Sequence, residues 1–189
     1  DHGLKLRMLR RTMLGDNSEF IGVRFSSVDE RGSFSKLFGN SSRGNIAFEG
    51  QLKQANYVKN ELAGTLRGLH FQVGAFAETK VIHCIKGSVW DVLVDLRTGS
   101  TTYKQWYGQI LSSSNLNFMK VPPGFAHGFV SLSDDTLFSY KCTNYYAAIH
   151  ENTLMWNDPD LNINWQSENP LISDKDSLGI SFKQFETPF

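Results

Sequence analysis

Short strand-like segments that recur at close, regular intervals are the feature that most constrains how this chain can fold. Turn-forming Gly, Asn, Asp and Pro residues separate one segment from the next. The segments span residues 51–59, 64–72, 80–85, 89–96, 103–111, 117–121, 129–132 and 136–143. Such spacing is typical of an antiparallel sandwich or barrel. We therefore predict an all-β fold, a cupin-type jelly-roll barrel whose wide mouth can hold a ligand among inward-facing side chains.

The connections between segments complete this prediction. Lys86 and Gly87 suit the tight turn of a hairpin between the third and fourth segments. The C-terminal part of the chain is rich in Asn, Asp and Pro, and we expect it to form loops with one short helix near Ser173. Trp156 and Trp165 are expected to hold this part against the barrel.

Alternation along two of the segments predicts which way polar side chains point. In 64–72, strict alternation puts Arg67 and His70 on opposite faces of the strand. In 136–143, Tyr140 shares the face of the apolar side chains. If Tyr140 faces the same lumen as His70, a base and an acid stand on opposite walls, which suits the removal of a proton from one face of a carbon and its return to the other.

Length and charge narrow the class of protein. The 189 residues are enough for one well-filled domain over 1–189 and too few to favour two. The formal net charge is zero, so no global field recruits nucleic acid or an anionic membrane surface. We predict neither a nucleic-acid partner nor a membrane partner, and any anion site must be local.

The cysteines and the absence of long apolar runs bear on location. Cys84 and Cys142 each lie inside an apolar strand-like run rather than in a spaced disulfide framework, which indicates buried thiols in a reducing compartment. No apolar run reaches the roughly 18 residues of a membrane span, and no signal-peptide pattern is present. A cytoplasmic location is expected.

Several motifs, in order and spacing, resemble those of the dTDP-4-dehydrorhamnose 3,5-epimerases over about residues 23–176. They are Phe34, 64–72 (Gly-Thr-Leu-Arg-Gly-Leu-His-Phe-Gln), 91–97 (Asp-Val-Leu-Val-Asp-Leu-Arg), 123–129 (Pro-Gly-Phe-Ala-His-Gly-Phe), 140–146 (Tyr-Lys-Cys-Thr-Asn-Tyr-Tyr) and 156–159 (Trp-Asn-Asp-Pro). The resemblance implies a cupin-type jelly roll, a homodimer with exchanged strands, and no metal or organic cofactor. The implied substrate is a nucleotide-linked 4-keto-6-deoxy sugar, epimerised at C3, C5 or both for surface-polysaccharide synthesis.

The resemblance also implies roles by position. His70 matches the general base, Asp176 the carboxylate that orients it, Tyr140 the acid on the far face, and Lys80 the cation beside the keto oxygen. Arg67 matches the arginine that holds the diphosphate. Arg31 matches the arginine that reaches toward the nucleotide, from the same or the partner subunit. The remaining matches to substrate contacts are Phe34, Gln54, Asn56, His127, Tyr146, Glu151 and Lys175.

The chemistry accounts for these residue types independently. A carbon next to a ketone loses its proton only if a base of near-neutral pKa is within reach and the enolate oxygen meets a positive charge or a donor. Histidine supplies the base and lysine the charge. A buried carboxylate on the other imidazole nitrogen fixes the tautomer and raises the basicity of the ring.

Two departures from the family pattern leave the substrate open. Residues 54–58 read Gln-Ala-Asn-Tyr-Val where Gln-Asp-Asn-His-Ser is common, with one extra residue before the base. Lys36 stands where many members have a glutamate that contacts the nucleotide base. The nucleotide (dTDP, GDP, CDP or UDP) and the choice between C3, C5 and both therefore stay undetermined from the sequence.

Two other classes of protein compete with the epimerase. Residues 122–127, Pro-Pro-Gly-Phe-Ala-His, also fit the Pro-x-Gly-x-x-His element of metal-dependent cupin oxygenases and isomerases, with His70, Glu78 and His127 as ligands. The first element of such a site requires His-x-His, and Gln72 occupies the second position. The third class is a non-catalytic nucleotide-sugar binding protein of the same fold.

Overall fold

The computed structural model describes the backbone of residues 21–23, 25–29 and 32–36, and the backbone and side chains of residues 50–189. Short strands dominate these residues. The strands are β1 (Ile21–Val23), β2 (Phe25–Asp29), β3 (Gly32–Lys36), β4 (Gln54–Asn60), β5 (Leu66–Gln72), β6 (Lys80–Lys86), β7 (Ser88–Asp95), β8 (Trp106–Ser112), β9 (Asn117–Val121), β10 (Phe125–Ser131), β11 (Thr136–Cys142) and β12 (Glu151–Thr153). Two 3-10 turns (Gly74–Phe76 and Ala148–His150) and one helix, α1 (Asp174–Ser177), join them.

Ten of the strands form two five-stranded antiparallel sheets. The first sheet has the order β1-β9-β6-β11-β4, the second has the order β12-β5-β10-β7-β8, and β2 pairs with β3 as a separate hairpin. The all-β, cupin-type jelly roll predicted from strand spacing is confirmed, and so is the short helix near Ser173. Within the described residues, no helix is long and apolar enough to cross a membrane.

The expected hairpin at Lys86 and Gly87 is wrong. Strand β6 belongs to the first sheet and β7 to the second, so the chain crosses between the two walls here instead of folding back on itself. Gly87 has a φ of 76°, and a Cβ on it would lie 2.5 Å from Oγ of Ser133. A Lys-Gly pair suits a corner between sheets as well as a hairpin turn, because both need positive φ at the glycine.

Two apolar clusters form the core, one between the two sheets and one on the far face of the second sheet. The inner cluster lies between the sheets, and Tyr140 packs against it; its buried members are Ile82, Cys84, Val89, Leu93, Leu111, Met119, Val121, Phe125, Phe129 and Phe138. The outer cluster covers the opposite face of the second sheet; its strand members include Leu66, Leu69, Phe71, Val92, Val94, Ala126 and Val130. Strand β7 contributes to both clusters, since Leu93 faces inward while Val92 and Val94 face outward.

A bulge in β5 overturns the prediction that Arg67 and His70 face opposite ways. His127 and Phe129 of β10 are two residues apart, yet their partners on β5, His70 and Arg67, are three apart. The extra residue shifts the alternation by one, so both side chains face inward. A Cβ on Gly68 would lie 2.5 Å from Cα of Gly128, so a glycine is needed where the two strands approach this closely.

The C-terminal segment is fastened to the outer face of the second sheet, as the tryptophans predicted. Trp165 is buried and donates from Nε1 to the carbonyl oxygen of Trp156 at 2.7 Å. The buried carboxylate of Asp158 accepts from the backbone N–H of Leu161 at 3.2 Å and of Phe182 at 2.7 Å. These bonds fix the C-terminal loops, which hold α1 in contact with β5.

Candidate active site

A hydrogen-bonded pair of His70 and Asp176 occupies the inner face of β5. Nε2 of His70 lies 2.8 Å from Oδ1 of Asp176, and the other carboxylate oxygen accepts from the backbone N–H of Gly68 at 3.0 Å. Asp176 belongs to α1, whose first turn is capped by the hydroxyl of Ser173 at 3.2 Å. The Asp176 side chain is 5% exposed and that of His70 is 23% exposed, so the carboxylate is buried behind a partly open imidazole.

The electrostatics of this pair fix the imidazole tautomer. Burial acts to raise the pKa of Asp176, but the hydrogen bond and charge of His70, with the Gly68 N–H, hold it below its usual range. Asp176 is therefore a carboxylate at neutral pH. It accepts the proton on Nε2 of His70, which leaves the lone pair on Nδ1 available as a base.

Tyr140 stands on the inner face of the first sheet. It pairs with Asn56 of β4 and Ile82 of β6, and its ring packs beside Phe138 with centroids 6.4 Å apart. Burial raises the pKa of Tyr140, and the negative charges of Glu78 and Glu151 add to the effect. The phenol is consequently protonated at neutral pH and can act as an acid.

The two walls meet through His127. This residue lies within β10 and pairs with His70 of β5. Its imidazole stacks on Phe138 of the opposite sheet, with centroids 6.3 Å apart and planes 8° apart. Because Tyr140 packs against the same Phe138, His70 and the phenol of Tyr140 line one lumen from opposite sides.

Lys80 sits in a group of charges beneath this lumen. Its ammonium is 3.4 Å from Oε1 of Glu78. Asp91 is fully buried, and its two oxygens lie 3.1 and 3.0 Å from Nε2 of His127. Burial raises the pKa of Asp91, and the charges of His127 and Lys80 oppose that rise only in part. The Lys80 side chain is thus 16% exposed and paired with Glu78, and it lies near enough to Asp91 for its charge to act on that carboxyl.

A second polar group lies at the β12 end of the site. Tyr146 donates its hydroxyl to Oε2 of Glu151 at 2.9 Å, and Lys175 forms an ion pair with the same carboxylate. Burial acts to raise the pKa of Glu151, but these two bonds and the charge of His70 hold it below its usual range. Gln54 accepts from the backbone N–H of Tyr146 at 2.8 Å. Four of the sequence-matched substrate contacts are therefore joined to one another and lie near His70.

Two further matched residues face the lumen from β4 and β5. Asn56 pairs with Tyr140 and so shares its inward face. Arg67 is exposed, and its Nε donates to Oδ1 of Asn60 at 3.0 Å. The positive charge of Arg67 opposes part of the rise in the pKa of Tyr140, which indicates that the two side chains are near each other.

Three residues named in the sequence analysis, two matches and the departure Lys36, have no described side chain. Arg31 lies outside the described residues. Phe34 and Lys36 belong to β3, of which the backbone alone is described.

The metal-binding interpretation gains no support from the donor groups. In the described ranges, no three His, Cys, Asp or Glu side chains are grouped so as to hold a metal ion. Gln72, at the position where a metal-binding cupin needs histidine, donates to the carbonyls of Phe76 and Tyr145 and accepts from the N–H of Ala147. Nε2 of His127 is already bonded to Asp91.

The sequence reasoning missed Asp91 and Asn60 and treated Glu78 as a candidate metal ligand alone. One signal was available for Asp91, since a carboxylate on an inward-facing position of an otherwise apolar strand needs a buried partner. For Asn60 no such signal exists, because the partner Arg67 is brought to it by the barrel.

Comparison with known proteins agrees with the motifs. A family model described as dTDP-4-dehydrorhamnose 3,5-epimerase matches residues 21–184. The dTDP-4-dehydrorhamnose 3,5-epimerase of Shigella flexneri is 41% identical over 155 residues, covering 82% of this chain and 85% of that protein. A crystal structure of the enzyme from Elizabethkingia anophelis NUHP1 has a TM-score of 0.83 and 39% identity, covering 93% of this chain and 96% of that one.

A second solved structure carries a sugar nucleotide. The dTDP-6-deoxy-D-glucose-3,5-epimerase of Legionella pneumophila Philadelphia 1, in complex with dTDP-4-keto-L-rhamnose, has a TM-score of 0.79 and 32% identity, covering 94% of this chain and 95% of that one. The resemblance carried by the motifs is thereby confirmed. This chain belongs to the dTDP-4-dehydrorhamnose 3,5-epimerase family, a family of sugar epimerases.

Proposed function

We propose that this protein epimerises a dTDP-linked 4-keto-6-deoxy sugar at both C3 and C5, without a metal or organic cofactor. The observation that carries the proposal is the placement of a carboxylate-held imidazole and a protonated phenol on facing walls of one lumen. The sugar nucleotide bound by the Legionella relative supports this class of substrate.

In the proposed reaction, Nδ1 of His70 takes the proton from the carbon next to the ketone, and the electrons of the C–H bond move to the keto oxygen. The ammonium of Lys80 stabilises that enolate oxygen. The hydroxyl of Tyr140 then gives its proton to the opposite face of the carbon, which inverts the centre. Asp176 stabilises the imidazolium, and proton exchange with solvent restores both groups.

Substrate binding is assigned to the polar groups around the lumen. The charge of Arg67 suits the diphosphate, since arginine is well matched to phosphate oxygens. The joined side chains Tyr146, Glu151, Lys175 and Gln54, with Asn56 and His127, line the approach to the sugar and nucleotide. Arg31 and Phe34 stay proposed nucleotide contacts by position in the sequence.

The proposal also covers the oligomeric state, the cellular compartment and the pathway of this protein. A homodimer with exchanged strands accords with the family resemblance and with the exposed Tyr57 on β4, an edge strand of the first sheet. The thiols of Cys84 and Cys142 are buried and not joined in a disulfide, which supports a reducing, cytoplasmic compartment. Deoxysugar supply for surface polysaccharide is the proposed pathway, with 1–189 acting as one domain.

Solvent deuterium incorporation tests the function. The wild-type protein is incubated in D₂O with dTDP-4-keto-6-deoxyglucose, and the sugar is followed by NMR. We expect deuterium at both C3 and C5 with formation of the L-configured product. Deuterium at one carbon alone would reduce the proposal to a mono-epimerase. No incorporation, with tight binding of the sugar nucleotide, would favour the non-catalytic binding protein.

A further inference from the structure

Asn60 holds the side chain of Arg67 across the barrel. In β4 it pairs with Thr136, on the same inward face as the pairing of Asn56 with Tyr140. Arg67 faces inward from the opposite sheet because of the bulge in β5. The 3.0 Å bond from Nε of Arg67 to Oδ1 of Asn60 therefore joins the two walls of the barrel.

The bond engages one nitrogen of the guanidinium and no negative charge. In the part of the chain that the structure describes, Arg67 forms no ion pair, whereas six of the eight salt bridges there connect a lysine or an arginine to an acid. Its side chain is exposed while Asn60 is 2% exposed. The two terminal nitrogens and the whole positive charge of Arg67 thus stay available to a ligand.

The amide of Asn60 carries an unusual cost. Because Nε of arginine can only donate, the acceptor facing it must be Oδ1, which fixes the orientation of the amide. Nδ2 is then buried with no hydrogen-bond partner among the described residues. A buried unpaired donor is destabilising. An aspartate of the same shape would remove this donor and pair its charge with the guanidinium, but its second oxygen would lie buried in the same unpartnered place.

We infer that Asn60 is a positioning residue, selected as a neutral acceptor that aims Arg67 at an anionic diphosphate without neutralising its charge. This inference rests on the proposed function of Arg67 and adds the residue that sets its direction and strength. An aspartate at position 60 would weaken the site, since its charge opposes the incoming phosphates.

The test compares Asn60→Asp with wild type in two measurements, thermal unfolding and the Kd for dTDP by calorimetry. We expect Asn60→Asp to unfold in one cooperative transition, as wild type does, and its Kd for dTDP to rise on the order of 10-fold to 100-fold. Asn60→Thr, whose hydroxyl is again a neutral acceptor, should bind dTDP within about threefold of wild type. Asn152→Asp, on β12 and outside the lumen, adds the same charge and should leave the Kd unchanged.

The double variant Asn60→Asp with Arg67→Ala shows whether Asn60 acts through Arg67. The substitution at position 60 should change the Kd little once the guanidinium is gone. An equal loss in both backgrounds contradicts the inference, and so does an Asn60→Asp protein that binds dTDP as tightly as wild type. If Asn60→Asp fails to fold, Asn60→Thr decides, because weak binding by that variant is again contrary. A wild-type protein that binds neither dTDP nor UDP overturns the proposed function itself.

Discussion

Nε2 of His70 lies 2.8 Å from Oδ1 of Asp176, although 106 positions separate the two residues in the sequence. The same carboxylate accepts from the N–H of Gly68, the residue at the bulge that turns Arg67 inward. One side chain from the C-terminal segment therefore orients His70 and supports the irregular strand that carries it. The short helix α1 is thereby part of the candidate site.

Replacing Asp176 with Asn removes the charge while keeping the shape. The amide can present its N–H to His70 and stabilise the wrong tautomer, and it cannot stabilise the imidazolium. We expect kcat to fall by about tenfold to a thousandfold with KM little changed. Steady-state epimerisation, with circular dichroism to verify the fold, measures this. A kcat within about twofold of wild type would show that the carboxylate does not assist the base.

The lowered pKa of Asp176 also predicts how its contribution to stability varies with pH. A carboxyl whose folded pKa lies below its unfolded value of 3.8 stabilises the fold at all pH values well above 3.8. That contribution is lost as pH falls through the folded pKa. The difference in free energy of unfolding between wild type and Asp176→Asn should be large at pH 7 and shrink as the pH falls below 3.8 in urea titrations. A difference that does not vary with pH would contradict the assignment.

Lys80 is predicted to stabilise the enolate. The Lys80→Met variant keeps the aliphatic stem and loses the charge, so we expect deuterium exchange to slow by about 10²-fold to 10³-fold. Lys86→Met is the matched control, because Lys86 pairs with Asp135 at the exposed end of the same strand. Equal rates for the two variants would remove Lys80 from the mechanism.

Gly68 is predicted to be essential for the bulge. An alanine there has a φ of 130° and a Cβ that overlaps Gly128 of the neighbouring strand, so the register that brings Arg67 and His70 together cannot persist. We expect Gly68→Ala to lose more than about 2 kcal/mol of stability and nearly all activity. Gly74→Ala is the control. Gly74 also has positive φ (61°) but no atom lies within 4 Å of the new Cβ, so the loss should stay near 1 kcal/mol.

The thiol of Cys142 is predicted to be unreactive in the folded protein. Burial, with the negative charge of Glu78, raises its pKa to about 12, and the thiolate is the reactive form. Ellman's reagent at pH 8 should modify neither Cys142 nor the buried Cys84 until urea unfolds the chain, and two thiols should then react. Rapid labelling of the native protein would show that these strands open readily.

Much of the fold follows from local sequence. Strand spacing predicts the all-β architecture, and most segments lie within a few residues of the observed strands. The corner at Gly87 could not be predicted, because the choice between a hairpin and a crossing is made by which neighbours each strand finds across the barrel. The start of β10 at Phe125 was hidden behind the turn residues of 122–124 for the same reason.

The same division between local sequence and tertiary structure applies to the candidate site. His70, Tyr140, Lys80 and Asp176 were named from their positions relative to the family motifs, and their catalytic roles stay predictions. Their relative directions could not be predicted, because the bulge at Gly68 reverses the alternation from which facing is inferred. Partners brought in by distant strands, such as Asn60 for Arg67, leave no mark in the sequence around them.

His70 is proposed to remove a proton from one face of a carbon, and Tyr140 to donate a proton to the opposite face. The most direct test is to measure deuterium entry from D₂O into dTDP-4-keto-6-deoxyglucose. We expect His70→Ala to fold normally and to incorporate no deuterium. Tyr140→Phe should also fold, keep measurable exchange, and form no epimerised product, because the proton returns to the face it left. Near-normal turnover in His70→Ala, or epimerised product from Tyr140→Phe at the wild-type rate, would contradict the account.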